Sequence, residues 1–295
     1  MPHATNKTEY ILRTTCPAGS GIVADVAGYL TQQGCYISEQ SQFDDQDSGK
    51  FFMRTRFHFQ GGEDAEATAA TAERIETGFL EVAQRLDMEW TLHNACAPVK
   101  TVIMVSKADH CLRDLLYRKN KGDLNIEITA VVSNHLDLRP MVEREGIRFV
   151  HLPVSKESKP RQEQALLDIV NETGSELVIL ARYMQILSDN LCRHLAGQAI
   201  NIHHSFLPGF KGARPYYQAY DRGVKLIGAT AHYVTADLDE GPIIEQSVQT
   251  VDHTMGPEML TTAGRDTETV ALARAIKLHT EHRVFVDGNK TVVFK

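Results

Sequence analysis

The densest group of chemically capable side chains is the tract NIHHSFLPGFKGARPYYQAY, Asn201–Tyr220. Residues two apart on a strand share a face, so Asn201 and His203 are predicted to point one way and His204 the other. A carboxamide and an imidazole side by side at a strand end can donate hydrogen bonds to a carbonyl oxygen as it becomes an oxyanion. The chain then breaks at Leu207-Pro208-Gly209 and again at Lys211-Gly212, which frees the backbone to wrap around a ligand. A second group follows in Ala229–Tyr233 (ATAHY) and Val234–Gly241 (VTADLDEG). Alternation puts Thr230, His232 and Val234 on one face, and the loop beyond them carries Asp237, Asp239 and Glu240. A carboxylate close to an imidazole can take a proton from an attacking nucleophile and set the charge of the ring. The same residues also fit plainer roles: a strand that ends in a turn, a buried structural histidine at His232, a solvated acidic loop. Lys211 and Arg214 are read as decoration of a solvated loop. Adjacent strand residues face apart and no further ligand stands at metal spacing from His203-His204, so no metal is expected.

These residues need a frame. The 295 residues carry a net charge of -7, with 42% hydrophobic and 23% charged side chains. That is globular composition with room for two domains. The sign of the charge argues against a nucleic-acid partner. No apolar run approaches the ~20 residues that span a bilayer, and the N-terminus has no apolar signal core, so a cytoplasmic protein with no membrane partner is expected. Five widely spaced cysteines without a C-x-x-C pair read as reduced thiols.

Hydrophobic rhythm changes along the chain. Up to about Trp90 the pattern reads strand (Tyr10–Thr15), helix (Gly19–Gln33), strands (Tyr36–Phe43 and Phe51–Phe59), helix (Ala65–Leu86) and strand (Met88–Leu92). This is β-α-β-β-α-β, the ferredoxin-like order. The polar stretch His93–Lys100 is read as a linker, which gives domains over 1–92 and 100–295 joined by 93–99. The second segment alternates strands near Thr101–Val105, Ile126–Val132, Arg148–Leu152, Leu177–Leu180 and Ile200–His203 with helices near Leu112–Lys119, after Leu138, at Gln162–Thr173 and from Ser188. This predicts a doubly wound α/β domain with a parallel sheet covered on both faces and its site beyond the carboxyl ends of the strands. Two longer strands after Lys225, a helix near Thr269–His282 and a hairpin about Asp287-Gly288-Asn289 complete the reading.

Asn201-Ile202-His203, Ser205-x-Leu207-Pro208 and Leu238-Asp239-x-Gly241-Pro242 resemble the folate-dependent formyltransferase family from about Lys100 onward. The segment Leu177–Ser188 (LVILARYMQILS) resembles the strand and loop with which that family cradles folate. Leu12–Leu30 (LRTTCPAGSGIVADVAGYL) with Phe51–Phe57 (FFMRTRF) resembles an ACT domain, a small amino-acid-binding module. The resemblance implies Asn201, His203 and Asp239 as catalytic residues, with His232 as a secondary catalytic candidate. It implies folate contacts at Met184, Gln185, Ile186, Leu187, Ser188, Val234, Thr235, Asp237 and Leu238. An amino-acid effector near Gly19 and Gly21, or a homo-oligomer held by the ACT-like module, is implied with equal weight. No cofactor is implied beyond the folate substrate. One departure separates relatives. Ribonucleotide transformylases carry a glycine-rich phosphate loop after the first strand of this domain, where glycine lets backbone N–H groups approach the phosphate. Here that place reads Ser106-Lys107-Ala108-Asp109-His110. Water, which needs no binding site of its own, then becomes the expected acceptor. The implied activity is hydrolysis of 10-formyltetrahydrofolate to tetrahydrofolate and formate, which would supply formate to one-carbon and purine metabolism. Transfer to an amine acceptor and a non-enzymatic folate-sensing regulator are the alternatives.

Overall fold

The computed structural model describes residues 8–60, 65–207, 209 and 215–295. The chain divides into two compact units. In the first, β1 (Glu9–Pro17), α1 (Ile22–Gln32), β2 (Cys35–Asp45), β3 (Lys50–Phe59), α2 (Ala65–Arg85) and β4 (Glu89–Asn94) follow one another. The strands form an antiparallel sheet in the order β2-β3-β1-β4. Both helices cover one face. Val26 and Leu30 of α1 and Ile75 and Phe79 of α2 pack against Tyr10, Leu12 and Phe57, as their spacing along each helix requires.

The opposite face of this sheet holds a buried cation, which sequence reasoning did not anticipate. Arg54 is 1% exposed; its Nε donates to Glu281 O at 3.0 Å, and its Nη1 lies 3.2 Å from Glu39 Oε1. Arg13 Nη2 donates to Val284 O at 2.6 Å, and the Arg13 guanidinium lies over the Phe285 ring. These contacts explain why Glu281–Phe285 belongs to the first unit rather than to a segment running unbroken from 100 to 295; Val292–Lys295 joins it as well, with the Phe294 ring packed on that of Phe285. The connection between units is also shorter than 93–99: His93 and Asn94 pair with β1, and the next strand opens at Val99.

The second unit begins with β5 (Val99–Val105), α3 (His110–Lys121), β6 (Ile126–Ser133), α4 (Arg139–Arg144), β7 (Phe149–His151), α5 (Lys159–Thr173), β8 (Leu177–Leu180), α6 (Asp189–His194) and β9 (Ala199–His203). These five strands run parallel. The central ones are apolar on both faces, as a doubly covered sheet requires; all four residues of β8 are buried. Then come α7 (Pro215–Asp221), β10 (Leu226–Tyr233), β11 (Ile243–Thr250), α8 (Pro257–Thr280), β12 (Val284–Asp287) and β13 (Lys290–Val293). β10 and β11 join antiparallel, so the seven-stranded sheet is mixed, in the order β11-β10-β9-β8-β5-β6-β7. Two elements differ from expectation. The short α7 lies in a tract to which the sequence pattern assigned no element. The last long helix starts at Pro257 rather than near Thr269, because Leu260, Ala263, Thr267, Ala271 and Ile276 keep its buried stripe continuous. Among the described residues no helix is long and apolar enough to cross a membrane, and all five cysteines are unpaired.

Candidate active site

β9 and β10 pair so that Asn201 stands opposite His232 and His203 opposite Thr230. This register brings together side chains that are far apart in the chain. Asn201 Nδ2 lies 3.2 Å from His232 Nε2, and His232 Nδ1 lies 2.8 Å from Tyr233 O. A carbonyl can only accept, so Nδ1 carries the ring proton. Burial lowers the pKa of His232, against smaller opposing effects of the Tyr233 carbonyl and Asp239. The ring is therefore neutral, and Nε2 accepts one hydrogen of the Asn201 carboxamide. That leaves the second Nδ2 hydrogen of Asn201 for another acceptor.

Asp239 reaches the same place from the loop between β10 and β11. Its Oδ2 is 3.2 Å from His203 Nδ1, and its Oδ1 is 3.8 Å from His232 Nε2. Burial raises the Asp239 pKa, but the hydrogen bond and charge of His203, with weaker help from His232 and His204, outweigh it and hold the carboxyl below its ordinary value. The loop is bent tightly to do this. Asp239 takes φ 58, a region that disfavours a side chain. Glu240 N donates to Asp237 O, and Tyr233 N to Pro242 O. An ideal Cβ on Gly241 would lie 1.8 Å from Tyr233 O, so only glycine lets the chain pass here. Thr230 secures the other flank: its hydroxyl donates to Ser205 O and accepts from Leu207 N and Gln246 Nε2.

Asn201, His203, His232 and Asp239 line one cavity of about 250 Å³. Its remaining wall includes Met184, Gln185, Ile186 and Leu187 after β8, and Val234, Thr235, Asp237 and Leu238 after β10. Ser188 does not line it. That residue caps α6, accepting from Leu191 N, and its own N–H and hydroxyl engage Glu163. His204 departs from the expected alternation because β9 ends at His203; it lines the same cavity, with its ring centroid 5.1 Å from that of His203. Burial, with Arg182 and His203, pushes the His204 pKa down to about 4. Arg182 and Tyr183 also line the cavity and were not singled out from the sequence. The available signal was a charged residue directly after the apolar run Leu177–Ala181. Gly21 is the N-cap of α1 at φ 88, and Gly19 precedes it on the exposed surface. Lys211 and Arg214 lie outside the described residues. His110, Cys111 and Glu268 place potential ligand atoms within 4.8 Å of one another. Arg182 Nε already stands 3.4 Å from that carboxylate, and its charge opposes a second cation.

A pocket at strand ends that joins a carboxamide, a carboxylate–imidazole pair and two backbone-rich loops suits acyl-group chemistry with an anionic intermediate. Residues 99–276 match the formyl transferase family, and the chain belongs to it. Over 291 residues it is 50% identical to a formyltetrahydrofolate deformylase of Corynebacterium sp. (strain P-1), covering 99% of this chain and 100% of that one. The crystal structure of the formyltetrahydrofolate deformylase from Burkholderia mallei is 49% identical with a TM-score of 0.91, over 98% of this chain and 100% of the other. Glycinamide ribonucleotide transformylase 1 from Symbiobacterium toebii is 27% identical with a TM-score of 0.63, over 67% and 95%. Within its family, the chain belongs with the formyltetrahydrofolate deformylases.

Proposed function

We propose that the chain hydrolyses 10-formyltetrahydrofolate to tetrahydrofolate and formate, with water as the formyl acceptor. The observation that carries this reading is the His203–Asp239 contact of 3.2 Å beside Asn201 in one cavity. The names of the full-length relatives support it. In this reading the edge of the pterin ring meets backbone groups of Met184–Leu187 and Val234–Leu238, and the formyl group reaches Asn201 and His203. Asp239, held ionised, takes a proton from water as the water oxygen bonds to the formyl carbon. The oxyanion accepts from Asn201, whose amide is already oriented by His232, and from His203. The bond to the folate nitrogen then breaks, the proton passes from Asp239 to that nitrogen, and formate leaves.

The β-α-β-β-α-β order of the first unit and its β2-β3-β1-β4 sheet support a ferredoxin-like, ACT-type module. This module holds copies together in a homo-oligomer or takes an amino-acid effector near Gly19 and Gly21; sedimentation and calorimetric titration with amino acids separate the two. Unpaired cysteines fit a cytoplasmic setting. The direct test incubates the purified chain with 10-formyltetrahydrofolate and no amine. Stoichiometric formate and tetrahydrofolate are expected; folate binding without release until an amine is added would contradict hydrolysis.

A further inference from the structure

A buried charge cluster adjoins the reacting residues, and the chemistry above does not use it. Glu268 of α8 accepts from His110 Nε2 and from the Tyr216 hydroxyl, each at 2.7 Å, and Arg182 Nε stands 3.4 Å away. Burial raises the Glu268 pKa, but these bonds and the Arg182 charge outweigh it, so the carboxylate stays ionised. The cluster is built into the fold at two points. A Cβ on Gly264 would lie 2.0 Å from Tyr216 Cζ, so α8 carries a notch through which the phenol passes. Arg182 holds φ 65, where glycine would be at ease and a side chain is not. Strain kept at a residue that faces the site points to a role there.

The position of the cluster suggests what it does. His203 and His204 leave the end of β9, Arg182 follows β8, and His110 follows β5; these strands are neighbours in that order. In such sheets ligands occupy the crevice beyond the carboxyl ends. Met184–Leu187 and Val234–Leu238 line the cavity beside the reacting residues. Along the sheet, the crevice beyond the carboxyl ends runs from β9 across β8 to β5. There Arg182 and His204 form the wall, with Glu268, His110 and Tyr216 linked to Arg182 through the shared carboxylate. Arg182 Nε and Nη1 are shielded from solvent and have no hydrogen-bond partner among the described residues. A guanidinium offers donors alone and keeps its positive charge, so it fills this side of the cavity with a group that repels an amine arriving as an ammonium ion.

We propose that Arg182, anchored by Glu268, His110 and Tyr216, is a specificity-determining wall that closes the amine side of the crevice and leaves water as the acceptor. This rests on the hydrolytic reading and adds the reason that hydrolysis replaces transfer. With the wall removed, a small amine attacks the formyl carbon in place of water. A bond forms between the amine nitrogen and that carbon, the bond to the folate nitrogen breaks, and the proton lost by the amine passes through Asp239 to the folate nitrogen. The product is an N-formyl amine.

The test uses full-length wild type and Arg182→Gly with 10-formyltetrahydrofolate, with and without excess glycinamide, and quantifies formate and N-formylglycinamide. Wild type without amine checks the hydrolytic reading by itself. With amine, wild type is expected to give formate with no more than a trace of N-formylglycinamide. Arg182→Gly is expected to raise the formylamide share about tenfold over wild type, equivalent to ~1.4 kcal/mol in favour of the amine route. Formate alone from a hydrolytically active Arg182→Gly overturns the proposal. So does a folded Arg182→Gly that has lost hydrolysis, because Arg182 would then serve the chemistry rather than the wall. Glycine relaxes the backbone at this φ, so the variant is expected to fold. If it does not, His110→Ala, which loosens the anchor, is judged by the same outcomes.

Discussion

Gly241→Ala is the sharpest structural perturbation of the proposed chemistry, because it touches none of the reacting groups. The added Cβ would lie 1.8 Å from Tyr233 O and 3.3 Å from His232 Nδ1. Ordinary contact begins at 3.4 Å, so the loop must retreat by about 1.6 Å, a misplacement of the size that costs ~10²-fold in rate. Asp239 sits two residues away on the same tight bend, and its 3.2 Å contact with His203 is too short to absorb that movement. The struck carbonyl is also the one that fixes the His232 ring, and through it Asn201. Both halves of the site therefore loosen together. We expect kcat for formate release to fall ~10²-fold, with folate binding weakened less because the contacts at Met184–Leu187 stay in place. Steady-state kinetics with a thermal melt as folding control measures this. A folded Gly241→Ala enzyme with wild-type kcat would refute the argument that the Asp239 loop must lie in this position.

Asn201→Ala removes one oxyanion donor and is expected to lower kcat by ~10²–10³, read from initial rates at saturating folate. Glu268 has a depressed pKa in the folded state. Its stabilising contribution is thus fully present above the unfolded carboxylate value of about 4.3 and is lost as pH falls through the lower folded value. Thermal melts across that acid range should show the loss in wild type and a flatter profile in Glu268→Gln. Arg54→Ala empties a buried position in the first unit and removes the Arg54 Nε donor from the Glu281 carbonyl. Because Arg283 still pairs with Glu39, a loss of roughly 2–3 kcal/mol, at or below the low end for breaking a buried pair, is expected in urea denaturation.

Much of the architecture was legible because hydrophobic period is a local property. The spacing of Val26 and Leu30 or of Ile75 and Phe79 defines a helix face without reference to the rest of the chain. The strand pair Asn201/His203 was legible for the same reason: alternation on one strand sets a shared face. What pairing across strands does was not legible. That Asn201 meets His232 follows from the β9–β10 register, which no single-strand pattern specifies. Glu268, Arg182, His110 and Tyr216 come from α8, the loop after β8, α3 and α7, so their convergence exists only in the folded unit. His204 was misplaced because alternation was carried one residue beyond the end of β9. Gly241 was visible as a motif residue, but its reason, the nearby Tyr233 carbonyl, is tertiary.

The central claim is that Asp239 moves the proton between water and the folate nitrogen. Asp239→Ala with the folate substrate and no amine, followed for formate release alongside equilibrium folate binding, tests it most directly. The account predicts that formate release falls by more than the ~10²–10³ expected for a lost oxyanion donor, while folate still binds. Near-wild-type formate release from a folded Asp239→Ala protein would contradict it.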